Sequence, residues 1–203
     1  MHKEILTKEQ IELFPLLKGF SKDFGLVGGT AVALYIGHRR SIDFDLFTFQ
    51  EFNNINIKKK IINIFKTEKV FVNKIGEYTI SIEGVKITFF HYPFKIEFKN
   101  TLNNIIGLPD LLTLSAMKAY ALGMRAKWKD YVDLYFMMKK CGGIGKVIKK
   151  AKQVFAHDFN EKLFRSQLAY FKDIDYTEKV IFLKDFETSD KVIKDALVKF
   201  SLQ

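Results

Sequence analysis

The sequence predicts an α+β (mixed α/β) fold, with a small mixed-sheet domain over residues 1–108 followed by an all-helical bundle over residues 109–203. Three observations predict it. Residues 24–47 switch from an apolar run to a helical period, and then to strict alternation after Ser41. Residues 70–98 alternate or run apolar with β-branched side chains between the turns Gly76-Glu77 and Glu83-Gly84, as an antiparallel meander does. From Pro109 onward, apolar residues recur at helical spacing.

Each element follows in order. Residues 7–20 read as a first helix, with Thr7 as cap and Gln10 as its capping-box partner. Pro15 should kink or interrupt that helix. Residues 25–27 form a strand ending at Gly28-Gly29, and residues 31–36 a brief apolar helix. Ile42, Phe44 and Leu46 then alternate with Asp43 and Asp45 as a second strand. Residues 57–65 form an amphipathic helix whose three lysines make a solvated face. The meander follows. Asp110 is expected to cap a helix running to Gly123, with Leu111, Leu114, Met117, Leu122 and Met124 facing a core. Further helices are expected at 127–140, 145–155, 160–171 and 191–202, while 173–188 carries no clear period.

Residues 24–47 carry the chemistry. Residues i and i+2 of a strand project from one face, so Asp43 and Asp45 stand side by side. Like charges so placed repel, and each needs solvent, a cation or a metal. Paired carboxylates suit Mg²⁺ or Mn²⁺ shared with substrate phosphates. A glycine pair before a helix lets backbone N–H groups approach a phosphate. A phosphate cradle followed by a carboxylate pair is what nucleotidyl transfer requires. Alone, either feature has a plainer reading: acids on a wet edge strand, or a turn. Their combination favours a phosphate–metal site.

The stretch GGTAVALYIGHRRSIDFDLF resembles the signature of the AbiEii/AbiGii toxin family of nucleotidyltransferases, within the DNA polymerase β-like superfamily. The match takes in Gly28, Gly29, Thr30, the Gly-His-Arg-Arg turn with Arg40, and Asp43 and Asp45. It implies that Gly28, Gly29, Thr30 and Arg40 bind the nucleotide and that Asp43 and Asp45 hold the metal. Many superfamily members carry a third acid on a later strand. The corresponding place here is Thr88, which cannot act as a carboxylate, and Glu83 lies in a turn. The resemblance extends to residues 117–138, where Lys118, Arg125 and Lys129-Asp130-Tyr131-Val132-Asp133 match the family's later helices. It implies a Lys118 that meets the nucleotide phosphates, and an Asp130 that either orients it or serves as general base. Without the resemblance these are two ordinary helices with charged faces. Arg125 and Asp133 read equally well as a structural ion pair. The bundle is expected to contribute Lys118 and Asp130 to a nucleotide cleft.

Composition bounds the rest. Hydrophobic residues make up 48% of 203 residues, ample for a core. The net charge of +10 suits a polyanionic partner, although Lys-rich compositions also arise from AT-rich genomes. Cys141 is a single cysteine, so no disulfide framework forms. No apolar run can span a bilayer and the N-terminus is no signal peptide, so a cytoplasmic protein is expected. His2, His91 and His157 form no zinc pattern, and Walker A, GxSxG and GxGxxG motifs are absent.

The expected activity is transfer of a nucleoside monophosphate from an NTP to an acceptor. The resemblance implies the toxin of a toxin–antitoxin or phage-abortive system, with a possible antitoxin partner; the expected acceptor is RNA, which for some relatives is the tRNA 3′ end. Two alternatives stand beside it: a small-molecule nucleotidyltransferase of the aminoglycoside-modifying kind, and a non-catalytic NTP- or RNA-binding module.

Overall fold

A computed structural model describes residues 1–203. Its fold class is the expected one, a mixed seven-stranded sheet with helices followed by a helical C-terminal region. The chain divides into two compact units. The first comprises Met1, Lys3–Ala31 and Ser41–Asp110; the second comprises His2, Val32–Arg40 and Leu111–Gln203.

In the first unit, α1 (Lys8–Glu12) and α2 (Phe14–Phe20) replace the single expected helix. Thr7 and Gln10 form the capping box, and Pro15 sits in the first turn of α2, where its missing N–H costs nothing. β1 (Gly25–Val27) leads directly into α3 (Gly28–Ile36), which starts at the glycines rather than after them. β2 (Phe44–Thr48) follows; Asp43 lies just before it, and Ile42 is exposed rather than part of the apolar face. α4 (Asn54–Ile62) is capped by the Asn53 side chain. The meander is β3 (Lys69–Lys74), β4 (Glu77–Ile82) and β5 (Val85–His91). Two short strands not expected from the sequence, β6 (Asn100–Leu102) and β7 (Ile106–Leu108), form a hairpin.

The strand order is β3-β4-β5-β2-β1-β7-β6. β2 is central, antiparallel to β1 and parallel to β5. Its alternation sorts the faces. Phe44 and Leu46 are fully buried, as are Ile87 and Phe89 beside them on β5. Phe20 and Phe24 pack edge-on against Phe89, with ring centroids 4.8 and 5.3 Å away. Burying each such ring stabilises the unit by roughly 1.5–3 kcal/mol. This apolar face fixes the strand register, because a one-residue slip would turn the carboxylates inward.

In the second unit, α5 (Leu111–Leu122) and α6 (Trp128–Cys141) are followed by α7 (Ile144–Phe155), α8 (Glu161–Leu168) and α9 (Asp190–Ser201). α7 buries one stripe, Ile144, Val147, Ile148, Ala151 and Phe155. α6 is buried along most of its length, including Asp130 and Asp133. Its end is set by Gly142, whose φ of 83° suits the left-handed C-cap. Met124, expected in the core, is 71% exposed in the turn after α5. Residues 173–188 form neither a helix nor a named strand; Asp175 bridges to Lys127, and Phe182 bridges to Arg39. No helix is long and apolar enough to cross a membrane.

Candidate active site

In the first unit, the site is built where β1 turns into α3. Gly28 has φ +70°, a backbone region that costs other residues about 1–2 kcal/mol. It is also the point of closest approach: a Cβ there would fall 1.9 Å from Asp45 Oδ2. The Asp45 carboxylate thus lies against the first residue of α3, whose N-terminal N–H groups favour negative charge. The register explains the placement, since Val27 pairs with Asp45 across the antiparallel strands.

Thr30, expected on the nucleotide, is 1% exposed and its hydroxyl is engaged internally. It donates to the Asp43 carbonyl oxygen and reaches Ser41 Oγ at 3.0 Å. Its position therefore ties the first turn of α3 to the acid-bearing segment. Gln10 Nε2 donates to the Ser41 carbonyl at 3.1 Å and braces the same segment.

Asp43 and Asp45 are half-buried on the face opposite Phe44 and Leu46. β5 completes this face. Thr88 stands beside Asp45 in register, and Lys86 Nζ lies 3.2 Å from Asp43 Oδ2. Lys86 is the residue that a search for carboxylates overlooks. Its alternation with Ile87 already placed it on the wet face with Thr88. The donor set fits a hard divalent ion: two half-buried carboxylates two residues apart, both oxygen donors.

Replacing Gly28 by alanine tests this arrangement. Gly28→Ala should lose about 1–3 kcal/mol of stability, from left-handed backbone strain and displacement of the Asp45 carboxylate. Denaturant titration and Mn²⁺ binding check it, and unchanged values for both would contradict the close approach.

The second unit gathers a buried ionic cluster from α5, α6 and the segment after α3. Asp133 is fully buried and accepts from Arg39 Nε and Nη2 at 2.7 and 2.9 Å, and from His38 Nε2 at 2.8 Å. Lys118 Nζ lies 2.9 Å from Asp133 Oδ2 and also donates to Asp130. Arg125 Nε donates to Asp130 at 2.9 Å. Arg125 and Asp133, read from the sequence as a possible pair, thus have different principal partners. Arg40 is exposed.

Burial alone would raise the Asp133 carboxyl; the charges of Arg39 and Lys118 and the bonds from His38 and Arg39 outweigh it and hold it well below the usual range. Asp130 is likewise lowered, burial being outweighed by Lys118 and Arg125. The ion pair of Asp130 with Lys118 is the contact an orienting carboxylate would make. For Lys118, burial is outweighed by Asp130 and Asp133, which raise its pKa and keep it charged. His38 is lowered, chiefly by burial, and stays neutral with Nε2–H donating to Asp133.

The family described as "Nucleotidyl transferase AbiEii toxin, Type IV TA system" matches residues 16–195. The chain is 32% identical over 174 residues to "Uncharacterized protein aq_aa25" from Aquifex aeolicus (strain VF5), covering 83% of this chain and 84% of that one. Its fold is similar to JHP933 from Helicobacter pylori, with a TM-score of 0.58 and 17% identity over 99% of this chain and 89% of that one. It is similar also to MenT4, the nucleotidyltransferase toxin Rv2826c from Mycobacterium tuberculosis H37Rv, with a TM-score of 0.58 and 13% identity over 94% and 80%.

Proposed function

The chain belongs to the AbiEii family of nucleotidyl transferase toxins of type IV toxin–antitoxin systems, and from that membership we propose that it transfers a nucleoside monophosphate from an NTP to an RNA acceptor, with tRNA as the first candidate. The observation that carries the reading is the Asp45 carboxylate lying against Gly28 at the start of α3, with Asp43 two residues before it. Asp43 and Asp45 hold Mg²⁺ or Mn²⁺, which neutralises phosphate charge when bound. Gly28 and Gly29 give the triphosphate access to backbone N–H groups at the helix start. Thr30 keeps the acid-bearing segment in place through its bond to the Asp43 carbonyl. The net charge of +10 favours a polyanionic acceptor. A cognate antitoxin is the expected protein partner.

Lys118 is the phosphate-contacting cation in this reading, oriented by Asp130. Its cluster joins Arg39, Lys118 and Arg125 to the carboxylates of Asp130 and Asp133. Lys118→Ala should lower turnover by about 10²-fold or more, with Lys118→Arg recovering part of it. Full activity in a folded Lys118→Ala protein would remove the residue from the reading.

The deciding experiment incubates the purified protein with each labelled NTP, Mg²⁺ or Mn²⁺, and either total RNA or aminoglycosides. Label in RNA with pyrophosphate release is the expected result. Label in the aminoglycoside would make the acceptor a small molecule. No product with any NTP would make the chain a binding module.

A further inference from the structure

The carboxylate face of the sheet holds a cation of its own. β5 runs parallel to β2, and its wet face presents Lys86 and Thr88 beside Asp45 on β2 and Asp43 just before it. The Lys86 ammonium lies 3.2 Å from Asp43 Oδ2, and its side chain is 42% exposed, so it can reach a ligand as well as Asp43. Two-metal transfer sites hold their ions about 3.5–4 Å apart, and ions that close repel strongly unless carboxylates lie between them. β5 (VKITFFH) brings no carboxylate to this face; it brings an ammonium and a hydroxyl. Asp43 and Asp45 together with Lys86 carry a net charge of −1, enough for one divalent ion and poor for two.

We propose that Lys86 is the second cation of the transfer site, so that the chain takes a single divalent ion at Asp43 and Asp45. This rests on the nucleotidyl-transfer reading above. The flexible lysine stem lets the ammonium leave Asp43 for a phosphate oxygen as the nucleotide arrives, as a mobile point charge. Its partner carboxylate is then free to serve the ion. Lys86 would thus do with one side-chain charge what a second ion does elsewhere, and the absence of an acid at Thr88 would be its counterpart.

The test counts Mn²⁺ by the paramagnetic resonance of the free ion, on nucleotide-free protein, alongside steady-state transfer. Wild type should bind one Mn²⁺ per chain. Lys86→Met should keep that single site and bind it about tenfold tighter, because Asp43 loses a competing cation. Its turnover should nevertheless fall about 10²-fold. Lys86→Glu should admit a second Mn²⁺. Two ions on wild type would overturn the proposal, as would Lys86→Met turning over at the wild-type rate. If wild type transfers nothing, the functional reading fails on its own, while one ion on wild type and two on Lys86→Glu would still assign Lys86 as the charge that excludes the second.

Discussion

Asp45→Asn should abolish transfer, with turnover falling by about 10³-fold or more, while the protein stays folded. Metal stabilisation of phosphate charge is worth several kcal/mol, and each 1.4 kcal/mol is about tenfold in rate. Asp45 is the carboxylate that lies against Gly28, so under the proposed function its loss would remove both a metal ligand and the charge nearest the phosphate-binding backbone. The substitution is nearly isosteric, and it removes a repulsive neighbour of Asp43 while giving up the favourable field at the start of α3. Mn²⁺ affinity, turnover and thermal melting separate these effects. Near wild-type transfer by Asp45→Asn would sink the assignment; a collapsed melting transition would make Asp45 a structural residue instead.

The second large effect falls on stability. Asp133→Ala should cost about 3–5 kcal/mol, because it strands the buried Arg39 and takes one of the two carboxylates from Lys118. Whole domains are stable by only about 5–15 kcal/mol, so the loss is a large fraction of the total. Denaturant titration measures it, and a loss under about 1 kcal/mol would show that the cluster relaxes around the gap. Acid should act on the same cluster in two stages. His38 has a folded pKa below its unfolded value near 6.5, so the unfolded chain takes up the proton first and stability declines as pH falls below about 6.5. Asp133, also lowered, contributes stability above the unfolded carboxylate value near 3.9 and loses it as pH falls further, through its folded value.

Local patterns determined much of the fold. The Thr7–Gln10 capping box, the alternation of Phe44 and Leu46 with Asp43 and Asp45, the meander turns and the Gly142 helix stop are all interactions between residues a few positions apart. Such interactions are written in the sequence because short-range geometry alone decides them. So is the candidate site's skeleton: a glycine pair, a helix start, and two carboxylates at strand spacing.

Three features were decided only by the tertiary structure. β6 and β7 span three residues each, too short for a period to register, and exist because β7 finds the edge of β1. Lys86 meets Asp43 through the pairing of β5 with β2, a parallel register that no local spacing encodes. Asp133 takes Arg39 and His38, 94 and 95 positions away, while the nearby Arg125 bonds to Asp130. The physical reason is common to all three. A strand edge or a buried charge is satisfied by whatever the folded chain brings within hydrogen-bond reach, and sequence distance does not enter that choice. Sequence therefore named the chemical groups, and folding chose their partners: an ammonium for Asp43, a glycine backbone for Asp45, and an arginine, a histidine and a lysine for Asp133.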